Sequence, residues 1–398
     1  MRKVLRAVVL TVLLALLPAG ACAETRIMVV TDLHYLAPSL YTGSDLFLRA
    51  VSQGDGKMAH RSAELLRALV EEARHQRPDA LLITGDLTFN GERLSHMELA
   101  DAMAELWDEG IPVYVIPGNH DINNRNARMY FGENTGPAES TTPAEFADIW
   151  KRCMLPPEAA SSMSYTVRLN DDVWILMTDV SVYEESTETY GFYGEDHQNW
   201  LMHVLSEAKR DGVTVICATH QSLIPHADYR VGSFSVYNRE YMLADLRAGG
   251  VTLNLSGHIH LQHVIERDGF TDAATGAFSV YDHGYGMVTV GDDGSVKYER
   301  RLVCEEHLPE GFRGESLAFF SANTVRQCDR QLTALGVPEA ERAAMIDYAC
   351  RFNAAFFTGT FDPSDPAWRE DPALRLWETY GSRTSMGSYI LKMIPLEP

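Results

Sequence analysis

Residues 29–36 read VVTDLHYL, a β-branched run that passes directly into an aspartate and a histidine one position apart. Valine and threonine fit a pleated, half-buried surface, so the longer segment RIMVVTD, residues 26–32, reads as a strand. Alternate side chains of an extended chain share a side, which would aim Asp32 and His34 at one ligand. An isolated Asp-x-His is most often just the polar end of a strand. Its meaning depends on how the neighbouring strands end.

Working outward, strand-like and helical patterns alternate. Residues 62–75 place Leu65, Leu66, Leu69 and Val70 on one helical face, and PDALLITGD (78–86) follows as a strand. A helix around 94–107 leads to IPVYVIPG (111–118), then to an irregular region over 123–162. SYTVRL (164–169) and VWILMTD (173–179) read as a hairpin turning at Asn170 and Asp171. Helices near 198–209 and 239–248 precede the strands VTVICATH (213–220) and VTLNLSGH (251–258). Three consecutive strand-like runs then follow: AFSVYD (277–282), YGMVTV (285–290) and SVKYERRLV (295–303). Strands separated by helices and then by turns alone predict an α/β sandwich built on mixed sheets. From about Cys304 the pattern becomes helical, punctuated by Gly and Pro. The expected organisation is a catalytic unit over 24–303 and a small α-helical C-terminal domain over 304–398.

The chain has 398 residues and a net charge of −21. That charge argues against a groove for duplex nucleic acid, but not against a phosphorylated small molecule, because bound cations invert the local field. Residues 1–23 have a basic start (Arg2, Lys3, Arg6), an apolar stretch too short to span a bilayer, and small residues up to Ala23. They read as a secretory signal, so the expected location is periplasmic or extracellular. Two processing routes fit, cleavage after Ala23 or lipidation at Cys22, and only the second would tether the protein to a membrane. Of the remaining cysteines, Cys217 lies in an apolar run and reads as a buried thiol. Cys153, Cys304, Cys328 and Cys350 would be free to form disulfides in an oxidising compartment, with no pairing assignable.

Asp32 and His34 gain significance from what ends the other strands. The second strand ends in Gly85-Asp86, the third in Gly118-Asn119-His120-Asp121, and two later ones in His220 and Gly257-His258-Ile259-His260. Open α/β sheets place ligands at this edge. Singly, Gly85-Asp86 could be a turn and His220 a hydrogen-bonded strand-end histidine. Five such endings in sequence point instead to a metal site. All the donors are oxygen or imidazole nitrogen, a set suited to Mn, Fe or Zn ions.

The ordered pattern D-x-H, G-D, G-N-H-D, H, G-H-x-H resembles that of the calcineurin-like metallophosphoesterases, and the resemblance spans roughly residues 26–303. It implies a four-layer α/β/β/α sandwich around two metal ions. By position, Asp32, His34 and His260 would hold one ion and Asn119, His220 and His258 the other, with Asp86 bridging. It further implies hydrolysis of a phosphoric ester by a hydroxide shared between the ions. His120 would assist the leaving oxygen, and Asp121 would orient or charge its imidazole. Where purple acid phosphatases carry a tyrosine three residues beyond the bridging aspartate, this chain has Phe89, which speaks against an iron–tyrosinate centre. HYLAPSLY, TGDLTFNGE and THQSLIPH look like an exported bacterial branch with a helical C-terminal extension that acts on phosphodiesters, cyclic nucleotides among them. His226, Tyr35 and His283 lie near these motifs and are left outside the catalytic set.

A phosphodiesterase is therefore the expected function, with a broad-specificity phosphomonoesterase as the enzymatic alternative. A non-catalytic binding module on the same scaffold is the contrasting class. Such a module could tolerate loss of a ligand or of His120, whereas here the set is complete.

Overall fold

A computed structural model describes residues 24–184, 187–226 and 234–394. The leader, including Cys22, lies outside them. The first half runs β1 (Thr25–Val30), α1 (Asp45–Ser52), α2 (Ser62–Gln76), β2 (Ala80–Thr84), α3 (Arg93–Asp108) and β3 (Val113–Ile116). A small hairpin, β4 (Arg128–Phe131) and β5 (Asn134–Pro137), and α4 (Pro143–Ile149) follow. Next come β6 (Tyr165–Arg168), β7 (Val173–Met177), α5 (Glu195–Asp211), β8 (Thr214–Ala218), α6 (Arg239–Ala248) and β9 (Leu253–Ser256). The chain continues through β10 (His263–Arg267), β11 (Phe270–Ala274), β12 (Gly284–Val290) and β13 (Val296–Leu302). It then turns helical with α7 (Phe312–Ala334), α8 (Glu339–Phe357), α9 (Pro366–Glu370), α10 (Pro372–Leu376) and α11 (Ser385–Met393).

Two mixed sheets result, ordered β13-β12-β1-β2-β3 and β10-β11-β9-β8-β7-β6. The parallel strands β1, β2 and β3 sit at the heart of the first sheet, and β7, β8 and β9 at the heart of the second. Strands buried on both faces need apolar residues at consecutive positions, which accounts for runs such as ALLIT in β2. Alternation in the second sheet separates two layers. Ile175 and Ile216 face the first sheet's core, while Trp174, Leu176 and Cys217 pack with α5 and α6 residues such as Leu201 and Leu243. On the other side Leu65 and Leu69 of α2 and Leu99 and Met103 of α3 cover the first sheet. The layers are helix, sheet, sheet, helix, as expected.

Several expectations need correction. AFSVYD is not a strand, because its backbone is committed elsewhere. Phe278 N–H donates to the Thr31 carbonyl at 3.0 Å and Ser279 Oγ to the Asp32 carbonyl at 2.8 Å. Its apolar residues are buried because the loop plugs the base of the site, not because it pairs in a sheet. The strands actually present before it, β10 and β11, meet at Asp268-Gly269, both at positive φ (53° and 73°). That is the Asp-Gly signature of a tight hairpin, masked in the sequence by the exposed, charged character of β10. The stretch expected to be irregular holds β4, β5 and α4. The last starts at a Thr142/Glu145 capping box with Pro143 in its first turn.

The C-terminal helices form a third core around Tyr348, Phe352, Leu374 and Trp377, which also takes in Ile259 and Leu261. The β9–β10 loop is thus shared by alternation: His258 and His260 project into the metal-ligand cluster, and Ile259 and Leu261 into the helical core. Gln262 N–H donates to the Phe357 carbonyl at 2.9 Å, and Arg61 on the sandwich pairs with Glu315 of α7 at 2.5 Å. The five described cysteines are free thiols. Among the described residues, no helix is long and apolar enough to cross a membrane.

Candidate metal centre and active site

The seven expected ligands come from the C-terminal ends of β1, β2, β3, β8 and β9, on both sheets. They are not presented by extended chain, as alternation along VVTDLHYL suggested. Asp32, His34, Asp86, His258 and His260 all have positive φ, between 43° and 68°, where a side chain costs about 1–2 kcal/mol per residue. The kinks are held by paired loops. Asp32 N–H donates to the Gly85 carbonyl, His34 N–H to that of Asp86 and Tyr35 N–H to that of Leu87, each at 3.0 Å. Left-handed turns bring Asp32 and His34 onto one ligand; the expected convergence occurs for a different backbone reason.

The glycines of the motif follow from this crowding. A Cβ on Gly118 would stand 2.3 Å from both the amide nitrogen and Oδ1 of Asp86. A Cβ on Gly257 would stand 2.0 Å from Thr31 Oγ1. Each ligand loop passes so close to its neighbour that a side chain has no room.

Asp86 lies between two donor groups. Its Oδ2 is 3.6 Å from His34 Nε2, and its Oδ1 is 3.3 Å from His220 Nε2. Asp32, His34, Asp86 and His260 form one potential metal-binding set, and Asp86, His220 and His258 the other. Asn119 joins the second, with Oδ1 3.2 Å from His220 Nε2. The ring partners orient the nitrogens. His220 Nδ1–H donates to the Thr84 carbonyl at 2.8 Å, turning the Nε2 lone pair toward the centre. Asp32 Oδ2 accepts from Thr31 Oγ1 (2.7 Å) and His258 N–H (2.9 Å), while its buried Oδ1 has no hydrogen bond and faces His260 Nε2 at 3.2 Å. His258 Nε2 is likewise buried without a hydrogen-bond partner, and His34 Nε2 faces His260 Nε2 at 3.2 Å. Buried orphan acceptors and facing imidazoles are unfavourable unless cations lie between them. The residues fit a two-ion centre.

The electrostatics agree. Burial alone would lower His220 and His260, but carboxylates overcome it and push both up to about 9. Asp86 and Asp32 act on His220, and Asp55 and Asp32 on His260. His258, buried and beside His220, falls to about 3. Despite burial, Asp32 and Asp86 are held below the ordinary carboxylate range by the surrounding imidazoles. This is a pocket of anionic oxygens neutralised by whatever positive charge can be found.

His120 lies at the rim, its side chain 26% exposed, with Nε2 3.9 Å from Asp86 Oδ2. Its Nδ1 partner is the Phe89 carbonyl at 2.7 Å, with Asn90 Oδ1 at 3.2 Å. Asp121 does not take the expected place beside that imidazole. Its carboxylate accepts from the backbone N–H groups of Leu87, Thr88 and Gly118 at 2.8–3.1 Å, clamping the Asp86 loop to the Asn119 loop. Burial and the nearby Asp86 push its carboxyl up to about 7. Sequence reasoning missed Asp55, whose Oδ2 is 3.0 Å from His260 Nδ1, and Lys57 beside it, which lines the cavity. The cue was a charged pair set between glycines in Gly54-Asp55-Gly56-Lys57. Of the three residues left outside the catalytic set, Tyr35 bonds Glu98, His226 faces His263, and His283 bonds the Phe278 carbonyl.

Comparison with known proteins gives the family. The family model for calcineurin-like phosphoesterases matches residues 25–262, and the chain belongs to that family. It is 25% identical over 232 residues to a probable cyclic nucleotide phosphodiesterase of Synechococcus, covering 57% of this chain and 75% of the relative. It is 36% identical over 83 residues to a probable glycerophosphodiester phosphodiesterase of Arcobacter nitrofigilis, 20% of this chain and only 29% of that protein. A dimetal phosphatase from Danio rerio superposes with a TM-score of 0.49 at 18% identity, over 70% of this chain and 99% of that one.

Proposed function

We propose that the protein is a metal-dependent phosphodiesterase whose catalytic unit, residues 24–303, is exported by the leader 1–23, processed either after Ala23 or by lipidation at Cys22, and completed by the helical segment 304–398. The observation that carries this reading is the single carboxylate, Asp86, facing two oxygen-and-imidazole donor groups at the floor of an open cavity. Bound ions would activate a water and offset the charge of the phosphoryl group. Asp32, His34, Asp86 and His260 would hold one and Asp86, Asn119, His220 and His258 the other, with Mn, Fe or Zn suited to the donors. The protein's own residues supply the rest. Asp55 fixes the His260 ring, Asp121 keeps the two ligand loops in register, and His120 presents Nε2 as the proton-handling atom for the departing oxygen. Diesters are favoured over monoesters by the names of both curated relatives and by a cavity of about 540 Å³, far roomier than a phosphate requires.

The test is removal and return of metal. Protein stripped by chelation should lose turnover of bis-p-nitrophenyl phosphate and regain it with Mn²⁺. Full turnover after complete stripping would sink the proposal, and a kcat/KM higher on p-nitrophenyl phosphate would make the protein a monoesterase.

A further inference from the structure

The cavity over the ligand cluster has two walls of different origin. One is the catalytic edge, with Asp86, His120 and His258; the other belongs to α7, α8 and α11. These helices lie beyond the stretch that matches the family model, so what they contribute is not set by the shared phosphoester chemistry. A volume of about 540 Å³ falls in the range that encloses an organic molecule.

The helical wall offers amides and aromatic rings together. Asn323 and Thr324 of α7 and Asn353 of α8 line it beside the rings of Phe320 and Phe357. Asn353 Nδ2 donates to Thr324 Oγ1 at 3.1 Å. That leaves the Thr324 hydroxyl hydrogen and the rest of the Asn353 amide to meet a guest. The Phe320 and Phe357 rings meet edge to face, 5.5 Å apart. The Phe234 ring, 5.3 Å from that of His258, carries aromatic surface down to the metal ligands. The wall is also fixed in place: Phe357 is tied to Gln262 through the backbone, and Phe320 packs so closely on Gly56 that a Cβ there would lie 2.8 Å away. Rings that stack and amides that bond in a plane recognise a flat group with hydrogen-bonding edges.

We propose that α7 and α8 form the substrate-selecting wall of the site, a subsite for the organic substituent that a phosphodiester retains, planar, polar-edged and of nucleoside size. The proposal rests on the phosphoesterase reading above. It is tested with two substrates that share a leaving group, methyl p-nitrophenyl phosphate and thymidine 5′-(p-nitrophenyl phosphate), using the full chain loaded with Mn²⁺. The unaltered protein should favour the thymidine diester at least tenfold in kcat/KM. Asn323→Ala and Asn353→Ala should each lower that ratio about tenfold. Both asparagines are half-buried, but Asn353 bonds α8 to α7 through Thr324 whereas Asn323 is bonded by Gln327 of its own helix, so the Asn323 variant is the safer for folding. Equal kcat/KM on both substrates, or variants that lower both in parallel, would overturn the subsite and leave metal-dependent hydrolysis standing. If neither diester is hydrolysed, the functional reading falls and calorimetry decides the subsite alone. Tighter binding of thymidine 5′-monophosphate than of inorganic phosphate, lost in the variants, would uphold it; equal binding would overturn it.

Discussion

Replacing Gly118 by alanine adds one methyl group and removes no donor, yet it should disable the centre. The new carbon would lie 2.3 Å from Asp86 N and Oδ1 and 2.8 Å from His220 Nε2. Ordinary non-bonded contact is about 3.5 Å, so Asp86 or the Asn119 loop must move by about 1 Å. Neither can move freely: Asp86 Oδ1 accepts from His120 N–H at 2.9 Å, and Gly118 N–H is bound to Asp121 at 2.8 Å. Overpacking of this kind costs about 1–3 kcal/mol, and a displacement of about 1 Å at reacting groups costs about 100-fold in rate. The expected result is a kcat/KM on bis-p-nitrophenyl phosphate about 100-fold lower, with a weakened second metal equivalent by titration calorimetry. Gly136→Ala is the control, since its nearest neighbour would be 3.7 Å away. A Gly118→Ala protein with two metal equivalents and unaltered kcat/KM would refute the claim that close approach of the loops sets the ligand geometry.

Three further outcomes follow from other residues. His120→Asn should lower kcat by about 10²–10⁴ while metal content by elemental analysis stays at two equivalents, because its Nδ1 is committed to Phe89 and its Nε2 lies at the rim. Acid should destabilise the fold through His96, which accepts from Trp150 Nε1–H at Nδ1 and faces the Asp121 carbonyl with Nε2. Burial depresses its folded pKa to about 4 from an unfolded 6.5, so the unfolded chain binds the extra proton first. Stability should then fall by about 3 kcal/mol as pH drops from 6.5 to 4, and urea melts of His96→Gln should show a shallower slope across that window. Ile259→Ala, deep in the helical core, should cost about 2–5 kcal/mol in stability. It should also weaken metal binding in calorimetric titration, through the two histidines that flank it.

Much of the site could be read from the strand endings, because a glycine before a ligand and polar residues after an apolar run are local features. What sequence could not show was the path of the backbone between them. Asp32 and His34 converge through left-handed turns stabilised by the Gly85–Leu87 loop, a contact across some fifty residues. The link between Asp55 and His260 spans two hundred, and no periodicity marks it. Asp121 neighbours His120 in the chain, yet its carboxylate faces backbone amides, since three N–H groups already converge where it sits. The apolar pattern identified buried segments correctly but could not separate a strand from a plug, as in AFSVYD. The β10 strand, with alternating faces almost wholly exposed, left no such pattern to find.

The interleaving of His258, Ile259, His260 and Leu261 has a consequence for building chimaeras of this chain. A graft that exchanges everything after β13 would leave Ile259 and Leu261 facing a stranger's interior, and the resulting strain would be delivered to both cations at once. A transplant with a chance of working must carry the loop 258–261 along with the helices as a second, separate exchange, because β10–β13, which lie between the two in the chain, belong to the sheets of the sandwich.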